Sequence, residues 1–198
     1  MKLGIFLGSF DPIHMGHLNI ISTIINYNIL NKILIVPSYC NPWKDTKTPY
    51  IVRVLMTERA CRIYRRKVEV LTLERGLSQL YKLEKVPTYL TLRHLTKRYA
   101  NDELYIITTV ETLLEIPKWK NGDEVLENYK FITLDNSTIL SKKQKDFVEK
   151  YANYVFPIPR IDVSSTLIRD MLHKGYKQIY PLVPEAVARI IRKHKLYE

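Results

Sequence analysis

Cysteine, glycine, acidic charge and long apolar runs are all scarce in this chain of 198 residues, and each scarcity removes a class of protein. The two cysteines, Cys40 and Cys61, stand alone, which argues against a disulfide scaffold and agrees with a reducing compartment. Six glycines, no low-complexity tract and no internal repeat point to one globular domain, 1–198, with a real core. The longest apolar runs, such as Ile33 to Val36 and Tyr105 to Ile107, are strand-length and too short to span a bilayer. Met1 leads directly into the first such run, leaving no room for a signal peptide, so the expected location is the cytoplasm, with no membrane partner. Zinc is not expected. His94, His173 and His194 have no ligand-like spacing with His14 and His17.

The shortage of acid leaves 20 Asp and Glu against 31 Lys and Arg, a net charge of +11. That balance attracts polyanions, and the candidates are nucleic acid, an anionic membrane or small phosphorylated substrates. Charge alone does not choose among them. The basic residues are spread along the chain apart from Arg62-x-x-Arg65-Arg66-Lys67 and the stretch Arg189 to Lys195, and both clusters read as solvated helix faces.

What the chain does have is a dense decapeptide, Gly8-Ser9-Phe10-Asp11-Pro12-Ile13-His14-Met15-Gly16-His17. It follows the apolar run Leu3 to Leu7 and precedes a helix-spaced apolar segment, so it reads as strand, tight glycine turn and helix start. A glycine there lets backbone approach a ligand, and the helix behind it aims free N–H groups and its positive end at the same point. His14 and His17, three apart, share a face of the first turn, where imidazoles can donate to phosphate oxygens. Structural histidines in an ordinary glycine turn are the alternative.

Strand-length apolar segments then alternate with helical ones. Strands are expected at residues 2–8, 31–36, 68–73, 104–108, 129–134 and 154–158, and helices at 16–26, 50–66, from Thr88 to about Tyr99, and at 142–151, 165–173 and 185–194. Residues 74–87 are ambiguous, and Pro117 and Asn121-Gly122 break the stretch after the fourth strand into short helical pieces. This pattern predicts an α/β protein: a three-layer Rossmann-like parallel sheet with a small helical C-terminal lobe, approximately 160–198. The loop Asn41-Pro42-Trp43-Lys44 follows the second strand, at the end of the sheet where ligands bind, which makes Lys44 a phosphate candidate. Ser164 or Ser165 caps the helix that carries Arg169; capping and phosphate binding use the same N–H groups.

Phe10-Asp11-Pro12 with His14-x-Gly16-His17 resembles the T/H-x-G-H signature of the nucleotidylyltransferase superfamily, and Val163-Ser164-Ser165-Thr166-Leu167-Ile168-Arg169 resembles its I-S-S-T-x-I-R motif. The whole phrase, with the chain length, is similar to the nicotinate and nicotinamide mononucleotide adenylyltransferases. The resemblance implies transfer of an adenylyl group from ATP, with Mg²⁺ carried by the triphosphate and no protein metal ligands. It implies catalytic roles for His14, His17 and Arg169. ATP contacts would come from Gly8, Ser9, Phe10, His14, His17, Lys44, Ser164, Ser165, Thr166 and Arg169, and mononucleotide contacts from Ser9, Phe10, Lys44, Thr88, Glu111 and Trp119.

Pro87 to Leu92 looks like the family segment Y-T-x-x-T-L, whose backbone holds the pyridine substituent, and Ile116 to Trp119 looks like F-x-x-W, whose Trp stacks on the ring. Three departures stand out. Asn41-Pro42-Trp43-Lys44 replaces P-P-H-K, Thr109-Val110-Glu111 replaces G-x-D, and Asp135-Asn136-Ser137 replaces R-x-G. The resemblance favours nicotinate mononucleotide over the nicotinamide form; phosphopantetheine adenylyl transfer and nucleic-acid binding are the rival readings. The oligomeric state is left open, a homo-oligomer included.

Overall fold

Strands buried on both faces must be apolar throughout, and the six strand-length runs form one sheet whose inner strands meet that condition while its two edge strands do not. The computed structural model describes residues 1–40, 48–136 and 139–198. Its strands are β1 (Lys2–Gly8), β2 (Lys32–Pro37), β3 (Val68–Val70), β4 (Glu103–Thr109), β5 (Lys130–Asp135) and β6 (Ala152–Pro157). They lie in the order β3-β2-β1-β4-β5-β6, all parallel. Side chains alternate across the sheet. Ile33 and Ile35 enter one apolar cluster with Ile21, Met56 and Ile107, while Leu34 and Val36 enter the other with Leu92, Leu113 and Phe131. This is a Rossmann-like, three-layer architecture.

The helices on the first face are α1 (Met15–Tyr27), α2 (Tyr50–Cys61) and, in the C-terminal lobe, α8 (Ser165–His173) and α9 (Glu185–Lys193). Ile168, Val187 and Ile191 share the cluster of Ile21 and Ile24, so the lobe is held by the common core. The second face carries α4 (Thr88–Arg98), α5 (Val110–Glu115), α6 (Gly122–Asn128) and α7 (Lys142–Tyr151). The ambiguous stretch contains α3 (Leu73–Tyr81), whose inward residues are Glu74, Leu77 and Ser78; a buried acid at the first inward position hides the helical pattern. The expected third strand stops at Val70, and α2 gives way to a 3₁₀ turn at Arg62–Tyr64 that leaves Ile63 in solvent.

Strand order reverses between β1 and β4, and the crevice beyond their carboxyl ends is where ligands bind in such sheets. Among the described residues, no helix is long and apolar enough to cross a membrane.

Candidate active site

The turn after β1 is shaped by one ring folding back on one glycine. Phe10 takes a left-handed backbone (φ 48°) and is buried, and a Cβ at Gly8 would lie 2.9 Å from its Cζ. Gly8 is therefore required by the aromatic ring above it as well as by ligand approach. Gly16 answers the same need on the helix, because a Cβ there would sit 3.0 Å from the His14 ring.

His14 is the extended N-cap of α1, and its N–H donates to His17 Nδ1 at 3.2 Å. With Nδ1 accepting, the His17 proton resides on Nε2, which makes that nitrogen the donor. The two rings lie 3.7 Å apart between centroids, and Phe10 packs edge-on against His17 at 5.0 Å. Both imidazoles line a cavity of about 400 Å³ with Gly8, Ser9, Phe10 and Ser165.

The second motif is fastened to the first. Ser165 Oγ donates to the Pro12 carbonyl at 3.0 Å, and Arg169 Nη1 donates to the Asp11 carbonyl at 2.8 Å. Ser164 Oγ caps α8 by accepting from the Leu167 N–H, and Thr166 Oγ1 accepts from Arg169 Nη2. From the chain end, Tyr197 donates its hydroxyl to the buried Asp11 carboxylate at 2.6 Å, and burial, then that carboxylate, keeps the phenol protonated by raising its pKa. Met15 N–H donates to the Leu182 carbonyl at 2.9 Å.

A second cavity, about 410 Å³, opens on the other side of Gly8. Thr88 and Trp119 line it with Glu74, Lys85 and Lys120, and it shares Leu7, Gly8 and Thr112 with the first. Thus the histidines and Ser165 line one cavity, Thr88 and Trp119 the other, and Gly8 stands where they meet. Glu111 belongs to neither group. It lines a shallow hollow with Ser164, Arg160 and Asn136, beside the first cavity rather than with Thr88 and Trp119. The reason is local: Thr109, where the family has glycine, caps α5 by accepting from the Thr112 N–H at 3.3 Å, and Glu111 falls in the exposed first turn. Lys44 and Ser137 lie outside the described residues.

Two buried ionic side chains are absent from the sequence reading. Arg53, 1% exposed, donates to the carbonyls of Ser9, Ser38, Tyr39 and Thr48 at 2.6 to 3.2 Å, tying the turn after β1 to the loop after β2. Burial lowers its pKa, yet an arginine so placed stays charged. Glu74, 2% exposed, accepts from the Tyr39 N–H at 2.8 Å and Thr91 Oγ1 at 2.9 Å. One signal was available: Arg53 falls between Tyr50 and Val54 at inward helical spacing, which a solvated arginine would avoid.

Burial pushes the Glu74 carboxyl up from 4.5 to about 7, against the opposing pull of the Tyr39 N–H, Thr91 and Arg53. Below the unfolded value both states are protonated; between the two values only the unfolded chain ionises, so stability falls as pH rises and the loss is complete above about 7. The loss attributable to Glu74 is roughly 3 kcal/mol. Urea unfolding near pH 5 and near pH 8 is expected to show Glu74→Gln losing less stability over that interval by about this amount. Parallel profiles for the two proteins would remove Glu74 as the cause.

A Rossmann-like sheet with a histidine pair at its switch point, overlaid by a second helix start, defines the nucleotidyltransferase class. The cytidylyltransferase-like family model matches residues 5–171. A Clostridium tetani protein called "Probable nicotinate-nucleotide adenylyltransferase" is 37% identical, covering 99% of this chain and 98% of its own, and a Clostridium novyi protein of the same name is 34% identical over 100% and 99%. The Plasmodium falciparum nicotinic acid mononucleotide adenylyltransferase complexed with NaAD superposes with a TM-score of 0.81, covering 99% and 97% of the two chains at 21% identity, a likeness of fold. The chain belongs to the nicotinate-nucleotide adenylyltransferase family, within the cytidylyltransferase-like nucleotidyltransferases.

Proposed function

We propose that this chain joins ATP and nicotinate mononucleotide to give nicotinate adenine dinucleotide and pyrophosphate, a step in NAD biosynthesis, with ATP along the histidine-lined cavity and the mononucleotide in the cavity of Thr88 and Trp119. The observation that carries this assignment is the meeting of the two cavities at Leu7, Gly8 and Thr112. A mononucleotide phosphate entering from one side there faces a triphosphate held from the other. Its oxygen attacks the α-phosphorus in line, the bond to the bridging oxygen breaks, and pyrophosphate departs with that electron pair. Catalysis is then positioning and charge stabilisation.

His17 Nε2 and His14 hold phosphate oxygens. The α8 start and Arg169, whose guanidinium already grips Asp11 and Thr166, place positive charge beside the β and γ groups. Lys44 is added to the phosphate contacts on its sequence motif alone. Gly8, Ser9 and Phe10 supply the close-approaching backbone, although the Ser9 carbonyl is committed to Arg53. Mg²⁺ would come with the ATP rather than from protein ligands, and would supply charge neutralisation on the triphosphate. The enzyme works on small phosphates rather than nucleic acid, in a reducing cytoplasm in which Cys61, raised to about 12 by burial, is inert.

The test is pyrophosphate release with MgATP and, separately, nicotinate mononucleotide, nicotinamide mononucleotide and phosphopantetheine. The nicotinate form is expected to give the highest kcat/KM; turnover with phosphopantetheine alone would overturn the assignment. Trp119→Ala is expected to raise KM for the mononucleotide by about tenfold, the value of one ring-stacking contact, with KM for ATP little changed. An effect confined to ATP would exchange the two cavities.

A further inference from the structure

Glu74 is the acid among the described residues lining the cavity of Thr88 and Trp119, and adenylyl transfer gives it no part to play. Its position is unusual. The two lysines of that lining, Lys85 and Lys120, are exposed, whereas Glu74 is set into the wall with both oxygens engaged, one by the Tyr39 N–H and the other by Thr91 Oγ1. A carboxylate in that wall opposes a pyridine ring bearing a second carboxylate. A carboxylic acid does not, and an amide ring is indifferent to the difference.

We propose that Glu74 determines discrimination between the acid and amide forms of the pyridine mononucleotide, through the proton that its wall position retains or gives up. The proposal rests on the assignment of this cavity to the mononucleotide. With the carboxyl pushed up to about 7, the proton is exchanged within the working range of the enzyme. The charged and titratable groups around it come from every packed element: Arg53 and Tyr50 of α2, Arg75 of its own helix, the Tyr39 loop, and Lys85 and Lys120 at the cavity. Tyr50, raised to about 12 by burial, stays neutral throughout, which leaves Glu74 as the buried acid that changes.

Other titrations cancel by design. The mononucleotide phosphate, the triphosphate and the histidine pair act equally on both substrates, so they drop out of the ratio of the two kcat/KM values. The experiment measures that ratio, nicotinate over nicotinamide mononucleotide, across about pH 6 to about pH 8 under saturating MgATP, for the unmodified protein and for Glu74→Gln. Where the amide turns over too slowly, its competitive inhibition constant takes the place of kcat/KM. In the unmodified protein the ratio is expected to fall roughly tenfold as pH rises, and in Glu74→Gln to stay flat. A flat ratio in the unmodified protein overturns the proposal, as does an undiminished slope in Glu74→Gln. If either occurs while Trp119→Ala still raises the mononucleotide KM, the cavity assignment stands and the role of Glu74 alone is lost. If Trp119→Ala leaves that KM untouched, the assignment fails and the proposal with it.

Discussion

His17→Ala is expected to fold normally and to lose about 10²-fold or more of its turnover. A hydrogen bond from the neighbouring backbone orients the ring. Because His17 Nδ1 accepts from the His14 N–H, the imidazole presents one donor, Nε2, already aimed and requiring no reorganisation when charge develops. An interaction that strengthens only as the α-phosphorus is attacked appears in kcat, and KM for ATP should move little. The fold should survive, since His17 is only partly buried and the contacts it makes, among them the bond from the His14 N–H and the ring contacts with His14 and Phe10, lie at the start of α1 rather than in the apolar core. Single-turnover pyrophosphate release and a thermal melt on the same preparation check both halves. Turnover close to that of the unmodified protein would reassign the pair to structure.

Arg53→Met is expected to be the most damaging single change to stability away from the apolar core. Methionine keeps the length and apolar contact of the side chain but returns nothing to the carbonyls of Ser9, Ser38, Tyr39 and Thr48. Buried acceptors left unpaired, together with the loss of a charge-assisted network, cost roughly 3–5 kcal/mol. For a chain of this size that corresponds to a fall in melting temperature of about 10 °C. Arg53→Lys should recover part of the loss, since an ammonium can reach some of these carbonyls but cannot span them all as the planar fork does. A melt of Arg53→Met within about 2 °C of the parent would mean that water replaces the guanidinium without cost.

Legibility from sequence followed how far each signal depended on distant residues. Helices α7 and α8 begin and end where periodicity and capping predict, because Ser141 and Ser164 accept from backbone N–H groups three residues on, a wholly local interaction. The parallel sheet was readable from alternation of segments, and the glycine turn from composition. Arg53 and Glu74 were not, since their partners come from loops far along the chain and a charged residue on a helix reads as solvated. Ile63 erred in the opposite sense: an apolar residue at a plausible helical spacing falls where α2 has already tightened into a 3₁₀ turn. The cap that Thr109 makes on α5, with Glu111 in the first turn behind it, depends on a side chain three residues from its partner and so on local sequence alone.

The clamp on the first motif also bears on the order in which the fold can close. Asp11 is held by Arg169 and Tyr197, partners 158 and 186 positions downstream. Closing loops of that length costs chain entropy before the contact is gained, whereas the first two strands pair across a much shorter connection. Long-range closure of this kind is slow and comes late in folding. The turn that holds the histidines is therefore expected to order only after both distant anchors have docked, later than the pairing of the first two strands.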